Sequence, residues 1–167
     1  MIKKLTIPVD HGNRNMKTTH FLFTTGLSST DRKPAGREDF LQTDGKFYVL
    51  SDKRIPYQRD KTQDERFSIL TRFAIAKELE RTGQVTEEDV VQVSLPIGVP
   101  PKHYAELAER YREYFLGDGK VQDLVYNGRT YHTCIRDVAV YPQAYAAMMI
   151  EGEKIRQVPK AVGIDIG

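Results

Sequence analysis

Little in this sequence is in excess, and its shortages are informative. Cys134 is the only cysteine among 167 residues, so no internal disulfide can form, and a reducing compartment suits such a chain. No run approaches the roughly 18 consecutive apolar residues needed to cross a bilayer. The start, Met1-Ile2-Lys3-Lys4-Leu5, is basic, but Pro8 and Asp10 interrupt the apolar stretch after it. It reads as a first strand, not a signal peptide. Charge of one sign is also lacking: 25 basic against 23 acidic residues leave a net charge of +2. That balance gives no bulk attraction for nucleic acid or membranes, and neither is expected as a direct partner. The four histidines, His11, His20, His103 and His132, show no metal-ligand spacing and read as surface or turn residues. Cys134 has no base close by in sequence and reads as a core thiol.

What is present suffices for one domain with its own core, since 40% of the residues are hydrophobic. Residues 4–10 alternate and read as a first strand. The segment 11–15 is a turn by its Gly and Asn content, and 17–25, rich in Thr and Phe, is the returning strand. Residues 26–44 lack periodicity and read as an exposed loop, followed by a short strand at 46–50. The range 63–82 is the clearest amphipathic helix, with Phe67, Leu70, Phe73, Ala74 and Leu79 at helical spacing and Gly83 placed to cap it. A strand at 90–95 follows. A helix at 101–116 comes next, opened by Pro101, with Tyr104, Leu107, Ala108, Tyr111 and Phe115 on one face. Asn127-Gly128 predicts a hairpin between strands at 121–126 and 129–140. A helix at 142–155, with Met148 toward the core, and a strand at 161–166 complete the chain. The order predicts an α/β domain: an antiparallel meander, then parallel strands joined through helices.

Three segments carry chemistry. In Asp10-x-Gly12-x-x-x-x-Lys17 a tight hairpin containing Gly12, Asn13 and Asn15 exposes successive backbone N–H groups that can cradle phosphate oxygens. Lys17 supplies a point charge for phosphate, and Asp10 can hold Mg²⁺ through water. An ordinary β-turn uses the same residue types. Asp165-x-Gly167 repeats the pattern after a second apolar strand, and the pair would set two carboxylates near one metal–phosphate centre. Tyr141-Pro142-Gln143 joins a strand to a helix. Gln143 there can orient a water for in-line attack on a γ-phosphate, or be a plain first-turn residue. The mixed charges Lys53-Arg54 and Arg59-Asp60-Lys61 read as a solvated loop, with a partner contact as the alternative.

In order, these pieces resemble the N-terminal half of an actin-fold ATPase, and most closely the bacterial plasmid-segregation group of ParM/StbA-like proteins. The first phosphate loop is resembled by Asp10-His11-Gly12-Asn13-Arg14-Asn15-Met16-Lys17. The strand and turn before the second helix are resembled by Val93-Ser94-Leu95-Pro96-Ile97-Gly98. The water-positioning connection matches Val138 to Ala144, and the start of the second phosphate loop matches Val162 to Gly167. His11 and Ser94 depart from the family, which favours a small or apolar residue and Gly respectively. The resemblance implies an RNase-H-like (actin-fold) domain, with a mixed sheet of about five strands and residues 26–62 as a variable outer subdomain. It implies a filament-forming ATPase of plasmid or phage segregation, cytoplasmic, with ATP and Mg²⁺ as cofactors and a DNA-binding adaptor as a possible partner. Gln143, Asp165 and Asp10 would be catalytic, with the two carboxylates organising the metal. Gly12, Asn13, Asn15, Lys17 and Gly167 would hold the nucleotide. The chain is expected to be part of a longer protein and, alone, to bind ATP weakly or not at all. Half of another actin-fold ATPase or kinase, or a non-catalytic module keeping the fold, are the alternatives. An RNase-H-like nuclease would need more acidic ligands than Asp10 and Asp165.

Overall fold

The computed structural model describes residues 1–36, 39–43, 45–143, 148 and 151–160. In chain order the described strands and helices are β1 (Ile2–Thr6), β2 (Asp10–His11), β3 (Asn15–Lys17), β4 (Leu22–Thr24), β5 (Leu27–Thr30), β6 (Phe40–Thr43), β7 (Lys46–Leu50) and α1 (Arg66–Thr82). Then come β8 (Val90–Val99), a 3-10 turn (Pro101–His103), α2 (Tyr104–Leu116), β9 (Gln122–Tyr126), β10 (Arg129–Pro142) and α3 (Gly152–Arg156). Seven strands form one mixed sheet in the order β1-β8-β10-β9-β6-β7-β5, and β2, β3 and β4 form a small antiparallel sheet.

β8 is the axis of the large sheet, paired in parallel with β1 on one side and β10 on the other. Its alternate residues Val91, Val93, Leu95, Ile97 and Val99 are buried, the two-residue period that one packed sheet face imposes. The chain beyond β1 stays in line with β8, because Ile7 and Val9 donate N–H bonds to the carbonyls of Ser94 (3.0 Å) and Pro96 (2.9 Å). A strand residue turns its N–H and C=O toward the same parallel neighbour. The N–H that Pro96 lacks therefore faces this line, where the ladder is interrupted between β1 and β2.

One face of the sheet is covered by α1 and α2. Phe67, Leu70, Phe73 and Ala74 of α1 and Leu107, Tyr111 and Phe115 of α2 are buried against β8, Leu124, Tyr126 and Val138 in a single core. Tyrosine hydroxyls tie the layers together. Tyr114 Oη donates to the Asp64 carbonyl (2.6 Å) and accepts from the Ser68 N–H (2.9 Å), and Tyr104 Oη donates to the Val140 carbonyl (3.1 Å). Gly83, at φ 60°, closes α1 in the left-handed conformation that only glycine adopts cheaply. Asn127 (φ 51°) and Gly128 (φ 84°) form the two-residue hairpin turn between β9 and β10, both with positive φ as its twist requires.

Several expectations shift. The sheet has seven strands instead of about five, because part of the 26–44 segment forms β5 and β6, and β6 joins the sheet through β9. β6 escapes pattern reading because its adjacent residues Phe40 and Leu41 are both buried, so no alternation appears. The returning strand is split: Thr18 N–H donates to the Phe21 carbonyl (2.9 Å), making a turn between β3 and β4. β8 continues to Val99, through Pro96 and Gly98, and Pro142 ends β10 where a helix start was expected. Met148 is exposed, not in the core. Residues 144–147, 149 and 150 of the expected third helix, and the whole expected strand at 161–166, lie outside the described residues. β10 also carries an irregularity: its register on β8 shifts between Ile135 and Asp137, leaving Arg136 as an extra residue.

Phe73 is fully buried and stands edge-on to Tyr126, with ring centroids 6.1 Å apart. Phe73→Ala should lower unfolding stability by about 3–5 kcal/mol in urea titration, whereas the exposed Tyr57→Ser should change it by about 0.5 kcal/mol or less. At the front of α1, the Arg66 guanidinium above all, then Gln58 Nε2 and the Arg66 N–H, hold the Asp64 carboxyl well below the usual carboxylate range. The folded carboxyl therefore stays ionised to lower pH than the unfolded one. Its stabilisation is complete above about pH 4 and is lost as pH falls through the folded value. Asp64→Asn should be less stable than wild type at pH 7, and the gap should close steadily in melts taken below pH 4.

Candidate functional site

Parallel strands end on the same side, and in α/β sheets the crevice beyond their carboxyl ends is where ligands bind. Here that edge is formed by β8 with its two neighbours. Val9 and Val140 both lie opposite Ile97, which puts the flanking strands about 10 Å apart, two strand spacings. Asp10 follows Val9, and Gln143 lies just past the Pro142–Val99 pair. The sheet thus delivers both residues to the two sides of one strand end. Gln143 N–H donates to the Val99 carbonyl (2.8 Å). Its side chain lies over Gly98, where a Cβ would come within 3.0 Å of Gln143 Cγ.

The hairpin β2–β3 pairs Asp10 with Lys17 and His11 with Met16. Lys17 Nζ is 4.0 Å from Asp10 Oδ2, with both side chains about half exposed. At the tip, Thr25 anchors two carbonyls: its N–H donates to Arg14 (3.0 Å) and its hydroxyl to Gly12 (2.7 Å). The N–H groups of Asn13 and Arg14 have no acceptor among the described residues. A Cβ on Gly12 would collide with the Asn15 carbonyl oxygen, so the tip can be this tight only with glycine. Engaged carbonyls, unengaged N–H groups and a nearby lysine fit a phosphate. The carboxylate of Asp10, open to solvent, fits a hydrated Mg²⁺.

His11 is a correction to the surface reading. Strand alternation turns it away from Asp10 and into the core, where it is fully buried with its ring 4.5 Å from Phe115. Thr71 Oγ1 donates to the Phe67 carbonyl (2.7 Å), so its oxygen accepts from His11 Nε2 at 2.7 Å. Burial first, and the charge of Lys61 second, push the imidazole down to about 3, so it is neutral.

Lys61 is the second correction. It belongs to a loop read as solvated, yet it is only 4% exposed. Burial pushes its ammonium down to about 8, and the Asp10 carboxylate opposes that shift. Neither Lys61 nor Thr25 carries a local sequence signal, since tertiary packing alone places them. Gly98 offers one only once the strand is extended through it to Val99, because glycine inside a strand marks close approach. Asp165 and Gly167 lie outside the described residues. Among the described residues no group of three His, Cys, Asp or Glu could hold a metal on its own. No helix among them is long and apolar enough to cross a membrane. Thr71→Val, which keeps the shape and removes the acceptor, should cost about 1–3 kcal/mol in urea titration by leaving the buried Nε2–H unpaired.

Residues 8–145 match the family model described as the N-terminal domain of actin-like proteins. No curated protein sequence matches the chain. Among solved structures, apo psk41 ParM is 13% identical over 87% of this chain and 51% of its own, with a TM-score of 0.68. The AlfA filament bound to AMPPNP is 14% identical over 87% and 56%, with a TM-score of 0.63. An archaeal actin homologue in complex with ADP is 17% identical over 89% and 48%, with a TM-score of 0.62. At such identities the likeness is one of fold, and the chain spans about half the length of each of these proteins.

Proposed function

The chain belongs to the actin-like proteins as their N-terminal domain, and we propose on that footing that it forms one wall of an ATP site in a filament-forming segregation ATPase. The observation that carries this reading is the convergence of the β2–β3 hairpin and the end of β10 on the carboxyl end of β8. Solved relatives of the same fold include one bound to AMPPNP in a filament and one in complex with ADP, which supports a nucleotide there. In this reading the tip of the hairpin, Gly12, Asn13 and Asn15, and the Lys17 ammonium bind phosphate oxygens. Asp10 would hold Mg²⁺ through water, and the metal would supply charge neutralisation on the phosphates. Gln143, held against Gly98, orients the attacking water. Asp165 and Gly167 belong to the second phosphate loop in the same scheme, and ATP hydrolysis accompanies self-association. A plasmid or phage cargo, reached through a DNA-binding adaptor in the cytoplasm, completes the proposal.

The test uses the full-length protein carrying this chain. MgATP should bind in calorimetry, and light scattering should rise on its addition. Asp10→Ala should abolish both. Gln143→Ala should keep binding while slowing phosphate release on the order of 10²-fold, as loss of a positioning group does. Absence of nucleotide binding by the wild type would overturn the reading.

A further inference from the structure

Lys61 poses a problem of charge. It is almost fully buried, and no carboxylate among the described residues lies within 4.0 Å of its ammonium. Its nearest described partner is the face of Phe67, 5.2 Å from Nζ to the ring centroid. A cation–π contact offsets only part of the cost of taking an ammonium out of water. The neighbouring acids are committed elsewhere. Asp60 accepts from Thr62 and Gln63 and pairs with Arg110 at 2.8 Å, and Asp64 is enclosed by Arg66 and Gln58. His11, on the same side of the hairpin, is neutral and supplies no charge.

The backbone around Lys61 is nevertheless held firmly. Lys61 N–H donates to Tyr111 Oη (3.1 Å), and three residues on the Asp64 carbonyl accepts from Tyr114 Oη. Two α2 tyrosines thus fix the segment that presents this lysine. The Phe67 ring that meets the Lys61 ammonium also lies beside the His11 ring, with centroids 6.5 Å apart. That places Lys61 next to the root of the phosphate-facing hairpin, where the Asp10 carboxylate opposes the effect of its burial. A firmly presented, largely buried cation with no carboxylate partner beside such a hairpin matches an anion that arrives from outside the chain.

We propose that Lys61 is a second cationic contact for the nucleotide's phosphate chain, reaching it from beneath the β2–β3 hairpin while Lys17 reaches it from the open side. This rests on the nucleotide reading of the hairpin given above. The phosphates supply the counter-charge that the protein withholds, so the cost of burying the ammonium is recovered only in the complex. The apo protein should therefore gain, not lose, from replacing this lysine by an apolar residue of similar length.

The experiment uses the full-length protein, with Lys61→Met, Lys61→Arg and the exposed Lys46→Met as a control. Calorimetry with MgATP and with magnesium pyrophosphate gives affinities, and thermal melts without ligand give stability. Lys61→Met should weaken both ligands about tenfold or more, the range for loss of one charged hydrogen bond. Lys61→Arg should recover most of that affinity, and Lys46→Met should match wild type. The melting temperature of ligand-free Lys61→Met should equal or exceed that of wild type. If Lys61→Met binds MgATP within twofold of wild type while Lys17→Ala binds weakly, this inference fails and the nucleotide site stands. A lower melting temperature for ligand-free Lys61→Met would assign the lysine to packing and also overturn the inference. Absence of MgATP binding by the wild type removes both.

Discussion

The rest of the structure depends on the two-sided parallel pairing of β8. A strand enclosed on both edges must have its N–H and C=O groups paired by its neighbours, because water cannot reach them. Both neighbours run in the same direction, so β1 and β10 are locked to β8 residue by residue, and their carboxyl ends are brought level. The position of Asp10 relative to Gln143 follows from that register. Neither residue lies on a helix or a free loop whose placement could drift. Each is the next residue or so after a hydrogen-bonded pair with β8.

The buried face of the sheet strengthens this arrangement. α1 and α2 cover the row Val91 to Val99, and the tyrosines of α2 bond to backbone groups of the loop before α1 and of β10. The same helices bear the residues beneath the hairpin: Thr71 of α1 holds His11, and Tyr111 of α2 holds Lys61. The core and the candidate site therefore share supports. A threonine on α1 gives the Nε2 of the buried His11 ring its polar partner.

Sequence periodicity revealed the elements that obey a single rule. α1 follows the helical period and ends in a glycine, and the β9–β10 hairpin has an Asn-Gly turn, so both stand close to where the pattern put them. The Asp10–Lys17 hairpin was legible from Gly and Asn alone, though its tip is narrower than composition suggested, because His11 belongs to β2 and Asn15 to β3. Elements made by long-range pairing were not legible. β6 has consecutive buried residues, and β8 passes through Pro96 and Gly98, which read locally as breakers but are tolerated where a missing N–H or a missing side chain meets its neighbour. Lys61 was unreadable for the same reason: a lysine that follows Arg59 and Asp60 looks solvated until α2 is packed over it.

The extra residue in β10 has a consequence for the end of that strand. Side chains of a strand point to alternate faces, so one inserted residue would exchange the faces of everything after it unless a bulge absorbs it. Arg136 is such an insertion, seven positions before Gln143. The portion of β10 paired with β9 follows one phase, and the portion running to the strand end follows the opposite phase. Leaving Arg136 out of the pairing resets the strand, far from the crevice: Ile135 before it and Val138 after it both pair with core-facing residues of β8, Val93 and Leu95. Were Arg136 paired instead, Asp137 would fall opposite the buried Leu95 and Gln143 would overrun the end of β8 by one residue more, so the bulge keeps the two strands in step like a leap day in a calendar.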